Sequence, residues 1–218
     1  MKKIVDVAFS GNFLTNKYLH VSEFLSLELG RLATDYTLLR KTFFTQFEEA
    51  SAQIPSTHSV YGDTLMETLL LHCQPKIEEL TGLKLYPTYS YYRVYKPGDV
   101  LEKHTDRREC EISATICLGY DYITDDPEYH WDIYVDGVGI ELEPGDAVIY
   151  RGCDVEHWRE PFNVQEGSWQ AQVFLHYVDA AQEDAKEFMY DRRPYVGAPL
   201  ALRRDEHQCV TQSVPKGK

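Results

Sequence analysis

The chain has 218 residues, 43% hydrophobic and 26% charged, the profile of a soluble globular protein with room for one good-sized core. Acidic residues outnumber basic ones 35 to 22, a formal net charge of −13. That argues against nucleic acid or an anionic membrane as partner, because both are recognised by clustered Lys and Arg.

In chain order, an amphipathic helix is predicted from Val21, with Ser22 as N-cap and Phe24, Leu25, Leu27, Leu29, Leu32, Leu38, Leu39, Phe43 and Phe47 at helical spacing. A second helix is predicted from Asp63, with Leu65, Leu69, Leu70, Ile77 and Leu80 inward. Gly82 stops it, and Pro75 is expected to kink or split it. Both apolar stripes read as packing against a sheet. After Gly82 the texture changes, and strands are predicted over residues 86–95, 101–104, 111–118, 130–135, 139–143, 147–151, 156–159 and 169–178. Lys96-Pro97-Gly98-Asp99, Asp136-Gly137 and Pro144-Gly145-Asp146 supply turns between them. Short strands so punctuated point to a sandwich or jelly roll rather than a parallel sheet. Residues 1–82 form a helical support region, 83–179 the β core and 180–218 a polar extension of one domain. The extension carries an Arg-rich patch around Asp191-Arg192-Arg193 and is expected to be mobile at its end.

Cys73, Cys110, Cys117, Cys153 and Cys209 are scattered and nowhere spaced C-x-x-C. They form neither a disulfide framework nor a zinc site, as in a reducing compartment. Asp6 interrupts the apolar run after Met1-Lys2-Lys3, and no stretch approaches the ~18 apolar residues of a membrane span. A soluble cytoplasmic protein is expected.

His-x-Asp occurs twice, as His104-Thr105-Asp106 and His130-Trp131-Asp132. Residues i and i+2 of a strand share a face, so either pair can present an imidazole and a carboxylate together. A second histidine would complete the two-His, one-carboxylate face of a non-haem iron(II) site, leaving the opposite face open. In a jelly roll that ligand comes from a late strand. Four predicted strands separate Asp106 from His157 and two separate Asp132 from it, so His104 and Asp106 are preferred. His130 and Asp132 read as a strand surface near a turn. His157 competes with His176 for the distal place. The former is delivered to a strand start by the Gly152-Cys153 bend, whereas the latter lies inside a strand, where a buried, hydrogen-bonded histidine is the commoner outcome. His157 is preferred.

The segment from Tyr95-Lys96-Pro97-Gly98-Asp99 to His104-Thr105-Asp106 resembles the approach to the His-x-Asp of prolyl-4-hydroxylase-like 2-oxoglutarate/iron(II) oxygenases. Glu143-Pro144-Gly145-Asp146 through Tyr150 to His157 is similar to that family's entry to its distal histidine, and Trp169 to Tyr177 to the strand after it. The resemblance covers roughly residues 86–178. It implies a double-stranded β-helix (a cupin-like jelly roll) behind N-terminal helices, Fe(II) on His104, Asp106 and His157, and 2-oxoglutarate as chelating cosubstrate, released as succinate and CO2. Retention of Asp106 implies hydroxylation, or another oxidation such as desaturation, rather than halogenation. The substrate it implies is a peptidyl proline or a small molecule; oligomeric state is not legible.

The chain departs from the family at the basic residue nine to eleven positions after the distal histidine, where Glu166, Gly167 and Ser168 stand. A buried dianion needs a cationic or multiply hydrogen-bonding partner. Arg159 is the first candidate, two residues past His157 and on its face, with a guanidinium fork suited to a carboxylate. Its competing role is a surface ion pair with Glu156 or Glu160. Arg151 is second, and Tyr95, Ser168 and Gln172 are possible hydrogen-bond donors. The Tyr89–Tyr95 run offers a substrate-pocket lining but reads first as packing a sheet face; Trp158 and Trp169 read as core or rim residues rather than substrate platforms, and Arg107 and Arg108 as solvated loop charges rather than a substrate gate or binding group. Two rival functions stand beside the oxygenase: a jelly-roll binding protein without turnover, and a cupin-type metal oxygenase that does not use 2-oxoglutarate.

Overall fold

The structure is a computed structural model that describes residues 13–43, 53–55 and 57–204. Among the described residues three helices, α1 (Phe13–Asn16), α2 (Leu27–Phe43) and α3 (Thr64–Thr81), alternate with β1 (Tyr18–Val21) and β2 (His58–Tyr61). Then follow β3 (Leu85–Tyr95), β4 (Leu101–His104), β5 (Ile112–Asp121), β6 (Ile133–Val135), β7 (Val138–Ile140), β8 (Ala147–Arg151), β9 (His157–Arg159) and β10 (Trp169–Asp179). The strands form a six-stranded sheet, β1-β8-β5-β10-β3-β2, and a four-stranded sheet, β4-β9-β6-β7. All pairings are antiparallel, and the two sheets make a jelly roll.

Strand alternation sets what each face does. Tyr92 and Val94 of β3, Val173 and Leu175 of β10, and Ile116 of β5 share a core with Met66, Leu69, Leu70 and Ile77 of α3. The intervening residues turn toward the small sheet, where Tyr95, Leu101, Trp131, Phe162 and Phe174 form a second, aromatic cluster. Asp136 and Gly137 both have positive φ (52° and 83°) and Val135 pairs with Val138, the type I′ geometry that matches strand twist.

Helix α3 begins where the sequence places it. Asp63 accepts the N–H groups of Leu65 at 2.9 Å and Met66 at 3.3 Å, and Gly82 caps the other end at φ 74°. Pro75 lies inside the helix without splitting it, on the exposed face, where the carbonyl its ring deprives of a partner faces water.

The first predicted helix needs correction. Tyr18–Val21 is an edge strand on β8, Ser22 caps nothing, and α2 starts at Leu27 after Ser26, whose Oγ accepts the Leu29 N–H at 3.3 Å. The Pro144–Asp146 turn holds the intervening residues out of helix: Asp146 Oδ1 accepts the Glu23 N–H at 2.8 Å, and Gly145 O that of Leu25 at 2.9 Å. Phe24 and Leu25 are therefore buried without being helical. Helix α2 meets the sheet through Gly30, Ala33 and Thr37, while Leu27, Leu32, Leu39 and Phe43 are exposed. Phe47 lies outside the described residues.

The polar extension after Ala180 docks on the jelly roll. Residues 185–192 form a kinked 3-10 segment in which Tyr190, Asp191 and Arg192 all have left-handed φ (55°, 54° and 61°). Such conformations cost non-glycine residues about 1–3 kcal/mol each. The buried Asp191 carboxylate offsets this by accepting from Tyr61 Oη at 2.5 Å and pairing with Arg107 and Arg203, each at 3.2 Å. No helix among the described residues is long and apolar enough to cross a membrane.

Candidate metal centre

His104, the last residue of β4, and His157, the first of β9, are register partners, so pairing of the two strands brings their rings to 4.3 Å between centroids. Asp106 follows two residues after β4, its N–H bonded to Gly152 O at 2.8 Å. Asp106 Oδ1 lies 3.8 Å from His104 Nε2 and 3.5 Å from His157 Nε2. One ligand atom from each of the three residues lies within 4.8 Å of the others.

The imidazoles are held in one tautomer. His104 Nδ1 sits 2.7 Å from Glu102 O, and His157 Nδ1 sits 3.2 Å from Val155 O. A carbonyl can only accept, so each Nδ1 carries a proton, and Nε2 is the ring nitrogen on the side of Asp106 that a metal would take. Histidine ligands of metals are oriented by such outer hydrogen bonds. Burial, then the neighbouring His157, lowers the His104 pKa. Burial alone would raise that of Asp106, but the hydrogen bond and charge of His157, with His176 and His104, bring it below the ordinary value. Neutral imidazole and ionised carboxylate are the states a divalent metal requires. The donor set fits iron(II).

Behind Asp106, Ser113 Oγ lies 3.0 Å from Oδ2 and 2.9 Å from His176 Nδ1. The sequence leaves His176 as a rival ligand; its ring, buried and 4.6 Å from that of Tyr89, stands on the far side of Ser113. Burial first of all pushes its pKa down to about 4. Asp106, Cys110 and His176 also come within 4.8 Å of one another. Cys110, however, is a buried thiol held well above its ordinary pKa, first by burial and then by Asp106, and a thiol is a poor ligand until deprotonated. His104, Asp106 and His157 open together onto a cavity of about 420 Å³, which Cys110 and His176 also line and whose other walls include Tyr89, Tyr91, Arg93 and Phe174.

Arg159 is 1% exposed on the face of β9 it shares with His157. It donates to Trp131 O at 2.5 Å and Gln172 Oε1 at 3.3 Å, and lies 4.7 Å from the Trp131 ring and 6.0 Å from that of Tyr95. Among the described residues no carboxylate pairs with it. Glu160 accepts from Trp158 Nε1, and Glu156 from Lys103, so the surface ion pair is not formed. Arg151 points to the outer side, 5.8 Å from the Phe13 ring. Ser168 bonds the Ile123 N–H at 2.8 Å and is committed there. Residues 166–168 belong to the turn before β10, and on β10 itself Gln170 and Gln172 reach inward.

Three expectations change. Arg107 and Arg108 reach solvent and are also engaged: Arg107 forks onto Asp191 over the Tyr89 ring, and Arg108 pairs with Glu111 at 2.5 Å and Asp184 at 2.8 Å. Tyr89 and Tyr91 line the cavity in addition to packing the sheet. Arg93, absent from the predicted site, also lines it. Its signal was present, since alternation places Arg93 on the face of β3 that carries Tyr91 and Tyr95. His130 is exposed and ahead of β6, 3.5 Å from Glu141. Trp158 stacks on Tyr134 at 5.0 Å.

No protein-family model matches the chain, and no curated protein sequence does. The fold has close counterparts among solved structures. A prolyl-4-hydroxylase from Pseudomonas putida superposes with TM-score 0.57 at 18% identity, over 78% of this chain and 96% of that one. The non-heme alpha-ketoglutarate-dependent carbocyclase SnoK of nogalamycin biosynthesis gives 0.57 at 18%, over 83% and 85%. HygX of Streptomyces hygroscopicus, solved with nickel and 2-oxoglutarate bound, gives 0.55 at 13%, over 82% and 93%. The chain has the jelly-roll fold of the 2-oxoglutarate oxygenases.

Proposed function

We propose that the chain is an iron(II)- and 2-oxoglutarate-dependent oxygenase of the cytoplasm that oxidises an aliphatic C–H bond, by hydroxylation, of a small molecule or a peptidyl proline. One observation carries the reading: two imidazole Nε2 atoms and one carboxylate oxygen converge beside an open cavity, on a fold shared with enzymes of that class. Two imidazoles and a carboxylate brought together are the donor set that a divalent metal takes.

His104, Asp106 and His157 would hold the metal on one face, leaving the cavity side for cosubstrate and oxygen. When bound, iron(II) with 2-oxoglutarate supplies a two-electron oxidation of substrate coupled to decarboxylation of the cosubstrate. The chain's own groups bind and orient. Glu102 O and Val155 O fix the imidazoles, and Ser113 fixes the second oxygen of Asp106. Arg159, with Gln172 and Tyr95 beside it, offers a buried cation for the distal carboxylate of 2-oxoglutarate, in place of the basic residue absent at 166–168. Leu101, Ile133 and Phe174 give the cavity its apolar wall.

The test is succinate release as a function of added Fe(II), with oxygen consumption followed in parallel. Succinate formed in proportion to iron and lost in His104→Ala, Asp106→Ala and His157→Ala supports the reading. Iron-dependent oxygen consumption indifferent to 2-oxoglutarate would instead favour a cupin-type oxygenase, and no turnover with retained ligand binding a non-catalytic jelly roll.

A further inference from the structure

The cavity beside the triad is lined by a buried cation, Arg93, other than the Arg159 proposed above for the cosubstrate. Arg93 is 3% exposed, and its guanidinium lies 5.0 Å from the Tyr91 ring and 5.6 Å from that of Phe174. It donates to Tyr95 Oη at 3.5 Å. It also donates to Gln53 Oε1, while Gln53 Nε2 sits 3.1 Å from His104 Nε2. One planar amide thus spans the gap between the ligating nitrogen of His104 and the guanidinium. The oxygen that faces Arg93 is where a carboxylate oxygen of a bound molecule would lie. Arg93 and Arg159 are separate sites: Arg93 opens onto the cavity, whereas Arg159 points past Gln172 toward Trp131.

We propose that Arg93 is the recognition point for a carboxylate on the substrate, which displaces the Gln53 amide and lays an apolar or aromatic body along Tyr91, Phe174 and Tyr89. This rests on the oxygenase reading for the assignment of the remaining space to substrate. A cavity of about 420 Å³ that also admits the cosubstrate lies toward the small end of ligand sites, which run to roughly 1,000 Å³. It suits a small acid better than a polymer. Arginine selects such a group because its fork meets both oxygens of a carboxylate, and the charge is strengthened where water is excluded. In a chain of net charge −13, the anion is recruited by this local cation against the global field.

The experiment is calorimetric titration of the full chain, metal-free and loaded with Mn(II) and 2-oxoglutarate. The probes are three acids paired with their primary amides: benzoate, phenylacetate and 3-phenylpropionate against benzamide, phenylacetamide and 3-phenylpropionamide. At least one acid is expected to bind about tenfold or more tightly than its amide, since one charged hydrogen-bonding pair is worth at least that factor. Arg93→Gln should erase the preference while leaving Mn(II) and 2-oxoglutarate affinity unchanged. Gln53→Glu, which leaves the core intact, should place a resident carboxylate on Arg93 and weaken acid binding by a similar factor; Gln53→Ala should strengthen it. Equal binding of acids and amides, or no binding of any acid at millimolar concentration, overturns the proposal. So does loss of 2-oxoglutarate affinity in Arg93→Gln with its retention in Arg159→Gln, which would make Arg93 the cosubstrate anchor. Acid binding that depends on Arg93 in a protein that takes up neither Mn(II) nor 2-oxoglutarate sustains the carboxylate site and removes only the oxygenase reading.

Discussion

Gly152 and Asp106 stand so close that a Cβ on the glycine would lie 2.4 Å from Asp106 Oδ2 and 2.9 Å from its Cβ. The same Cβ would meet Cys110 O at 2.4 Å, and the Gly152 carbonyl already holds the Asp106 N–H. The bend between β8 and β9 therefore supports the carboxylate from behind. Because φ at Gly152 is not positive, the requirement is space and not conformation. Gly152→Ala is expected to push Asp106 out of line. Overpacking of this kind costs about 1–3 kcal/mol in urea unfolding, and Mn(II) affinity should fall at least about tenfold. Unaltered Mn(II) affinity would show that the carboxylate is not positioned by this contact.

Metal should stabilise the folded chain, because the triad exists only when β4 and β9 are paired. At a hundredfold excess over its dissociation constant, a ligand adds about 2.7 kcal/mol. For a chain of this length that is about 5–10 °C in melting temperature. Wild type is expected to show that rise with Mn(II), and His157→Ala and Asp106→Asn to show none. A rise surviving in His157→Ala and lost in His176→Ala would move the distal ligand to His176.

Arg159→Gln removes the buried guanidinium that donates to Gln172. Loss of a charged, doubly hydrogen-bonded partner to a carboxylate is worth about 1.5–3 kcal/mol, or about 10- to 100-fold in affinity. The 2-oxoglutarate concentration for half-maximal succinate release should rise by that factor, with little change in the iron requirement. An unchanged 2-oxoglutarate dependence would exclude Arg159 from the cosubstrate site.

Much of this arrangement is legible in the sequence because local chemistry dictates it. Strands β4 and β8 fall where alternation and the Pro-Gly-Asp turns place them, and Asp63 and Gly82 bound α3 through their own side chain and backbone. What was illegible depends on distant partners. Residues 18–25 have helical spacing, yet edge pairing with β8 and the carboxylate of Asp146, more than a hundred residues away, make them strand and loop. Strand β2 exists by pairing with β3. The extension after Ala180 reads as a polar tail because Asp191 and Arg193, buried in it, are charged, and their partners lie on α3 and after β4. Arg93 was passed over because a cation inside a strand carries no motif.

Arg193 and Glu67 illustrate that point and can be tested. Their side chains are 0% and 3% exposed and meet at 2.6 Å. Arg193 also donates to Ala198 O at 2.9 Å and Thr88 O at 3.2 Å, which ties the extension to α3 and β3. Breaking a buried pair from one side leaves an uncompensated charge, at about 3–5 kcal/mol. Arg193→Met is expected to lose that much in urea unfolding. Arg193→Met with Glu67→Gln should lose less than the two single changes together, by about 1–3 kcal/mol. Strict additivity would mean that the two residues do not act as a pair.

Acid should weaken the fold partly through His58. Its ring lies on β2, with Nε2 3.3 Å from Tyr92 Oη. Burial, and then the charges of Lys41 and Arg40, push its pKa from 6.5 down to about 4. The folded state therefore holds His58 neutral at a pH where the unfolded chain has begun to bind a proton. Stability rises with pH wherever the unfolded state binds more protons. The contribution is thus fully present above about pH 6.5 and is lost as pH falls through about 4. Between these limits the unfolding free energy of wild type should decline with a slope to which His58 adds up to one proton. His58→Gln, neutral throughout, should flatten the slope by that amount in urea titrations run from pH 7.5 to pH 4.5 on metal-free protein, where the triad contributes equally to both proteins. Parallel slopes would mean that the imidazole is as free to protonate in the folded chain as in the unfolded one, and that Lys41 and Arg40 do not govern it.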